Sequence, residues 1–183
     1  MIGTVITIDG GEYHILRLLG KGKGGYSYLA EGPQGQTVVK QIHHEPCSYY
    51  QFGDKLAAEL HDYERLLTAG VPVPRLLAVD REKERLVKEY IPGQTVYDLV
   101  LADAVQPEWT KQMELLCQQL YAVGLNIDYF PTNFIPYNGV LWYVDYECNA
   151  YQEQWDFQHW GVKYWSRTPE LLEHVRQTQE NGR

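Results

Sequence analysis

The chain has 183 residues and a mass of 21.2 kDa, with 24 acidic side chains against 16 basic ones and a formal charge of −8. That length suits one domain or two small lobes with a substantial core, and 44% hydrophobic with 22% charged residues is a globular mixture that argues against wholesale disorder. The acidic balance argues against a general nucleic-acid binder, which needs a basic surface to displace counterions, though it leaves room for a local cationic pocket.

The first forty residues are β-rich. GTVITI, the turn Asp9-Gly10-Gly11, EYHILRLL, a glycine-rich stretch, YSYLAE, the turn 32–35 and TVVKQI make residues 2–42 an antiparallel meander. A helix is expected from about 54 to 69, with Leu56, Leu60, Tyr63 and Leu67 on its apolar stripe. Gly70 closes it, and the prolines at 72 and 74 prevent continuation. RLLAVD and RLVKEYI are two further strands around a charged turn at 81–84, and residues 91–93 are the candidate hinge. Residues 108–123 form a helix with Trp109, Met113, Leu116 and Leu120 on one face, followed by LNIDYFPTN as an irregular segment. Asn138-Gly139 turns NFIPY into VLWYVD. A tryptophan-rich piece and a helix from about 168, with Pro169 in its first turn, complete the chain, whose last residues are expected to fray.

Chemistry concentrates in a few positions. Gly20, Gly22 and Gly25 satisfy G-x-G-x-x-G. A strand, not a helix, follows them, so a dinucleotide site is disfavoured. The remaining readings are a glycine-tipped hairpin over nucleotide phosphates or a plain flexible hairpin. Period-2 alternation in TVVKQI sets Lys40 on one face with Val38 and Ile42, where a buried ammonium needs an anion; on an edge strand the lysine would instead snorkel to water. On a helical wheel Glu59 falls inside the apolar stripe that runs from Leu60 through Leu67, Leu56 and Tyr63 to Leu66, while the competing Glu64 falls outside it. Glu59 is therefore the expected partner of Lys40. Asp128-Tyr129-Phe130-Pro131-Thr132-Asn133 fits D-x-x-x-x-N, and Asp145 ends the strand VLWYVD. Each acidic or amide residue alone also suits a turn or cap. Strict hairpin pairing would put Asn133 and Asp145 on opposite faces, so the ladder must open before its end for both to reach one metal.

This ordered series resembles the protein-kinase fold over residues 15–147. It is most similar to the small atypical kinases: the RIO type, the kinase of the KEOPS tRNA-modification complex and the aminoglycoside phosphotransferase group. ELHDYERLLTAGVPVPRLL resembles their helix and its exit, and LVKEYIPG their hinge. The resemblance implies an α+β bilobal fold. Residues 1–92 would be an N-lobe with an antiparallel sheet and one helix, and 93–183 a small, mainly helical C-lobe. It implies ATP and Mg²⁺ as cofactors, with adenine between the lobes against Val38 and the backbone of Glu89 and Ile91. Gly20, Gly22 and Gly25 would cover the phosphates, and Lys40, held by Glu59, would bind the α and β phosphates. Asp128 would orient and deprotonate the acceptor hydroxyl, and Asn133 and Asp145 would bind Mg²⁺. VDYE looks like an acidic variant of the DFG position.

The sequence also departs from that pattern. Asn126-Ile127-Asp128 replaces His-Gly-Asp or His-Arg-Asp, Phe130 stands where serine/threonine kinases usually carry lysine, and Ser27 replaces the usual valine over adenine. No A-P-E motif follows Glu147, and the remaining chain is short for a peptide-binding half. The expected function is transfer of the γ-phosphoryl of ATP to a hydroxyl on a protein or small molecule. One alternative is a pseudokinase that binds nucleotide or a protein without chemistry. The other is an unrelated α+β binding domain, for which Lys40 and Glu59 would lie far apart.

Other features carry less. His43 and His44 on a strand would point to opposite faces, a poor metal site. Trp155, Phe157, Trp160, Tyr164 and Trp165 read as core and covering aromatics, with an exposed partner patch as the sharper alternative. Cys47, Cys117 and Cys148 form no CxxC and read as free thiols of a reducing compartment. With no apolar run near the ~20 residues that span a bilayer and no basic leader, the expected setting is the cytoplasm, away from membranes.

Overall fold

The computed structural model describes residues 1–45 and 53–181, so Cys47 and the last two residues lie outside the described residues, whereas 179–181, expected to fray, belong to the C-terminal helix. It is a mixed α+β protein with a curled antiparallel sheet of six strands and several helices. The chain divides into two compact units, Met1–His61 with Pro74–Tyr90, and Asp62–Val73 with the described residues from Ile91 on.

In the first unit β1 (Val5–Ile8), β2 (Gly11–Lys21), β3 (Gly25–Gly32) and β4 (Gly35–Ile42) form the expected meander. Asp9 and Gly10 both take positive φ, 48° and 78°, the geometry of a two-residue hairpin turn. After α1 (Lys55–Thr68) come β5 (Leu76–Asp80) and β6 (Arg85–Glu89), and the sheet order is β1-β2-β3-β4-β6-β5. The sheet curls until β1 lies beside β5, where Asp9 Oδ2 accepts from the Val79 N–H at 3.4 Å. Ile8, Tyr13, Ile15, Ala30, Val39, Ala78 and Val87 fill the inside of the curl.

α1 starts on Asp54, whose Oδ1 accepts from Ala57 N–H at 2.8 Å. It ends in a Schellman motif, with Val71 N–H to Leu66 O and Gly70 N–H to Leu67 O, both 3.0 Å, and Gly70 at φ 77°. Its buried stripe differs from the expected one at Leu67. Leu56, Glu59 and Leu66 are buried, whereas Leu67 is half exposed. The face is rotated toward Glu59, because tertiary packing and not the widest run of leucines chose which side is covered.

The second unit contains α2 (Val96–Leu101), α3 (Pro107–Ala122), β7 (Leu125–Ile127), β8 (Phe134–Tyr137), β9 (Val140–Tyr143), β10 (Cys148–Ala150) and α4 (Pro169–Asn181). Met113, Leu116, Cys117 and Leu120 are the buried face of α3; Trp109 is only half-buried. α2 is short and rests on a Thr95–Asp98 capping box, a local signal too brief for periodicity to register. The segment expected to be wholly irregular begins with β7, which pairs antiparallel with β10. Three residues are too few for a strand pattern, and the partner lies more than twenty residues on. Of the tryptophans, Trp165 is core and donates to Tyr129 O at 2.9 Å, Trp160 is half-buried, and Trp155 is mostly exposed, so the aromatic segment is core only in part. Among the described residues no helix is long and apolar enough to cross a membrane.

Candidate functional site

The first unit carries one cluster. Register sets Ser27 and Leu86 directly beside Lys40, with Gly20 beyond Ser27, so these side chains share a face of the sheet. Lys40 Nζ donates to Glu59 Oε1 at 2.7 Å, with side-chain exposures of only 12% and 9%. The expected partnership is thus present, and Glu64 points to solvent. The glycine stretch is the tip joining β2 to β3. Gly22 N–H closes it on Gly25 O at 2.9 Å, and His43 N–H holds Gly24 O at 3.3 Å. A Cβ on Gly24 would stand 4.0 Å from the Lys40 ammonium, so the tip lies against the ion pair.

The three motif glycines differ. A Cβ at Gly25 would stand 2.5 Å from the Gln41 carbonyl oxygen, so glycine is required there for packing. Gly20 and Gly22 face open space or nearly so, and packing does not explain them.

Val38 is buried two residues from Lys40 on the same face. Register places Lys88 opposite Val38, and Lys88 is itself only 4% exposed. This second buried lysine was missed, although the alternation that singled out Lys40 would have flagged it in RLVKE. Glu89 is half-buried, its N–H bonded to Arg75 O at 2.9 Å, and Ile91 is buried. His43 and His44 lie just past the end of β4 and not within a strand. Their ring nitrogens face separate partners, Gly22 O at 3.1 Å and Glu84 Oε2 at 2.7 Å.

The second unit carries the other cluster. Asp128 follows β7, and its Oδ1 accepts from Phe130 N–H at 3.0 Å, which bends the loop into an Asx turn. Asn133 Nδ2 donates to Asp128 O at 3.2 Å, so Oδ1 is the atom of that amide with acceptor chemistry suited to a cation. The β8–β9 ladder stops at Phe134 and Tyr143, with one further bond from Val144 N–H to Asn133 O at 2.8 Å. Asn133 and Asp145 therefore lie beyond the regular ladder, which removes the strict opposite-face constraint. Asp145 Oδ1 accepts from Tyr146 N–H at 2.9 Å.

Tyr143 reports on the charge nearby. Burial first, then the negative charges of Asp145, Asp128 and Glu147, push its phenol well above the ordinary range. Three carboxylates thus lie within electrostatic reach of one buried hydroxyl. Among the described residues no three His, Cys, Asp or Glu side chains gather as a cage for a metal. An Asp with an Asn oxygen is instead the sparse, hard-oxygen set that suits Mg²⁺, whose remaining ligands come from water and phosphate.

Two of the departures from the kinase pattern, Asn126 and Phe130, have structural roles. Asn126 is buried in β7, donating to Gln152 O at 2.9 Å and accepting from the Tyr129 hydroxyl at 3.4 Å. Phe130 packs among His174, Tyr164, Tyr97 and Trp160, with ring centroids 4.8–6.5 Å away. Cys117 and Cys148 are free and buried, and burial pushes their thiols up to about 11 and about 12, which leaves them unreactive at neutral pH. No protein-family model matches this chain, and no curated protein matches it.

Proposed function

We propose that the protein is an ATP- and Mg²⁺-dependent phosphotransferase with a bilobal protein-kinase-like fold, acting in the cytoplasm on a hydroxyl of a protein or small molecule. The observation that supports it most is the Lys40–Glu59 ion pair, nearly buried and set against a glycine tip. Such a pair is poor value as a stabiliser, because apolar residues of the same volume would serve the fold as well. It is well suited to hold an ammonium rigid for a polyanion.

In this reading Gly20, Gly22 and Gly25 let backbone approach the phosphates, and Lys40 offsets charge on the α and β phosphates. Val38 and the backbone of Glu89 and Ile91 receive adenine. Asp128 takes the proton of the acceptor hydroxyl as its oxygen bonds the γ-phosphorus and the bond to the β-phosphate oxygen breaks, releasing ADP. Asn133 Oδ1 and Asp145 would hold Mg²⁺, which when bound neutralises phosphate charge. The second reading, a nucleotide-binding pseudokinase, is favoured by Phe130, an aromatic ring packed where a cation for the transferring phosphoryl would stand.

Thermal shift with ATP, with and without Mg²⁺, and a γ-labelled ATP assay against cell extract and a panel of alcohols and sugars separate the readings. Asp145→Asn is expected to abolish the Mg²⁺-dependent part of nucleotide binding with the fold intact. Asp128→Asn is expected to spare ATP binding and lower turnover at least about 10²-fold. Nucleotide binding without transfer in the wild type would leave the pseudokinase; no shift under either condition would end both.

A further inference from the structure

We infer that Tyr143 is a positioning residue: its hydroxyl is an inserted rung that holds the β7–β10 ladder open where Asp128 begins. In that ladder Leu125 pairs with Ala150, Asn126 with Asn149 and Ile127 with Cys148, so the next pair in register is Asp128 with Glu147. A continued ladder would join those two backbones directly. Instead the Tyr143 oxygen accepts from the Asp128 N–H at 3.4 Å and its hydroxyl donates to the Glu147 carbonyl at 2.9 Å. Two hydrogen bonds in series take the place of one, which spreads the backbones by the width of an oxygen atom.

The pin is itself fixed. Tyr143 is the last residue of β9, is 0% exposed, and packs its ring on Phe134 at 5.2 Å. Phe134 is also its ladder partner. The same residue thus ends the β8–β9 ladder beside Asn133 and parts the β7–β10 ladder beside Asp128. Asp145 and Glu147 lie on the short chain leading from Tyr143 into β10. One phenol therefore sets the spacing of both segments that carry the acidic groups. Without the oxygen, the Asp128 N–H and the Glu147 carbonyl pair directly and draw the segments together, or forgo the bonds that Tyr143 provides.

The kinetic half of this inference rests on the phosphotransferase reading; the structural half does not. In Tyr143→Phe the ring and its packing remain and only the oxygen is lost. Amide exchange by NMR is expected to change at Asp128 by at least about tenfold, while Val39 and Val87 in the six-stranded sheet keep wild-type rates. Turnover is expected to fall by up to about 10²-fold with KM for ATP within about twofold, as for a displaced reacting group. Phe134→Leu serves as a control that loosens the same packing and keeps the hydroxyl. It is expected to lower Tm while changing Asp128 exchange and turnover clearly less than Tyr143→Phe does. Unchanged Asp128 exchange in Tyr143→Phe, or an equal change in Phe134→Leu, would overturn the inserted rung. If the wild type transfers no phosphoryl group, the functional reading fails, and the exchange rates still decide the role of Tyr143.

Discussion

In the first unit the candidate groups ride on regular elements. Lys40 lies within an eight-residue strand and Glu59 within a fourteen-residue helix, each positioned by backbone hydrogen bonds that repeat along the element. In the second unit Asp128, Asn133 and Asp145 occupy the gaps where two short ladders stop. Their contacts include the Phe130 and Tyr146 N–H groups donating to the Asp128 and Asp145 carboxylates, the Asp128 N–H donating to the Tyr143 hydroxyl, and the Asn133 amide donating to the Asp128 carbonyl. The first arrangement is redundant, since losing one contact leaves a ladder or a helix intact. The second lies beyond the ladder ends, so small changes there are expected to alter geometry before they alter stability.

The largest expected effect tests the ion pair. Glu59→Gln should destabilise the protein by roughly 3 kcal/mol, the low end for uncovering one partner of a buried pair, because 12% of Lys40 still reaches water. Glu64→Gln, on the exposed side of the same helix, should stay within about 0.5 kcal/mol. Urea melts of both variants check this, and equal effects would mean that the pair is solvated and not structural. Next comes the glycine tip. Gly25→Ala should cost at least ~1–3 kcal/mol, because the clash is with the backbone of Gln41 and not with a movable side chain. Gly20→Ala should leave Tm nearly unchanged yet weaken ATP if the proposed role is right. A Gly20 variant with unaltered nucleotide binding would reduce the tip to a hairpin.

The smallest effect concerns the tethers of the second unit. The Asp156 carboxylate is buried, which opposes ionisation, but donation from His159 N–H, the His159 ring and the Tyr151 hydroxyl outweighs burial and holds it below the usual carboxylate range. Its contribution is present above the unfolded value of about 4 and is lost as pH falls through the depressed folded value. His159 is raised by its bond to Asp156 and then by that carboxylate's charge. Its contribution is therefore complete below about 6.5 and fades as pH rises through the elevated folded value. The Tm difference between wild type and His159→Gln should shrink from mildly acidic to alkaline pH; a constant difference would show that the ring is not a charged tether.

Legibility followed the same division. The meander, its Asp9-Gly10 turn and the Lys40–Glu59 partnership come from turn residues and from periods of 2 and 3.6 that neighbouring residues reinforce. Even so, the helix stripe was rotated, since Leu67 is exposed and Glu59 lies nearer the covered centre. In the second unit D-x-x-x-x-N and the strand-end Asp145 could be seen, but not the opening of the hairpin that frees them. β7 and α2 are too short to show periodicity, and nothing in VLWYVD distinguishes a core tyrosine from one whose oxygen parts two strands.

By itself the amino-acid order determined the sheet meander, the turns and which cation and carboxylate would meet, because those outcomes depend on repeating local geometry. Only the tertiary structure decided which helix face was covered, where the ladders stop and what holds Asp128. Those depend on single contacts between residues far apart in sequence, and a lone contact leaves no pattern in the chain that makes it.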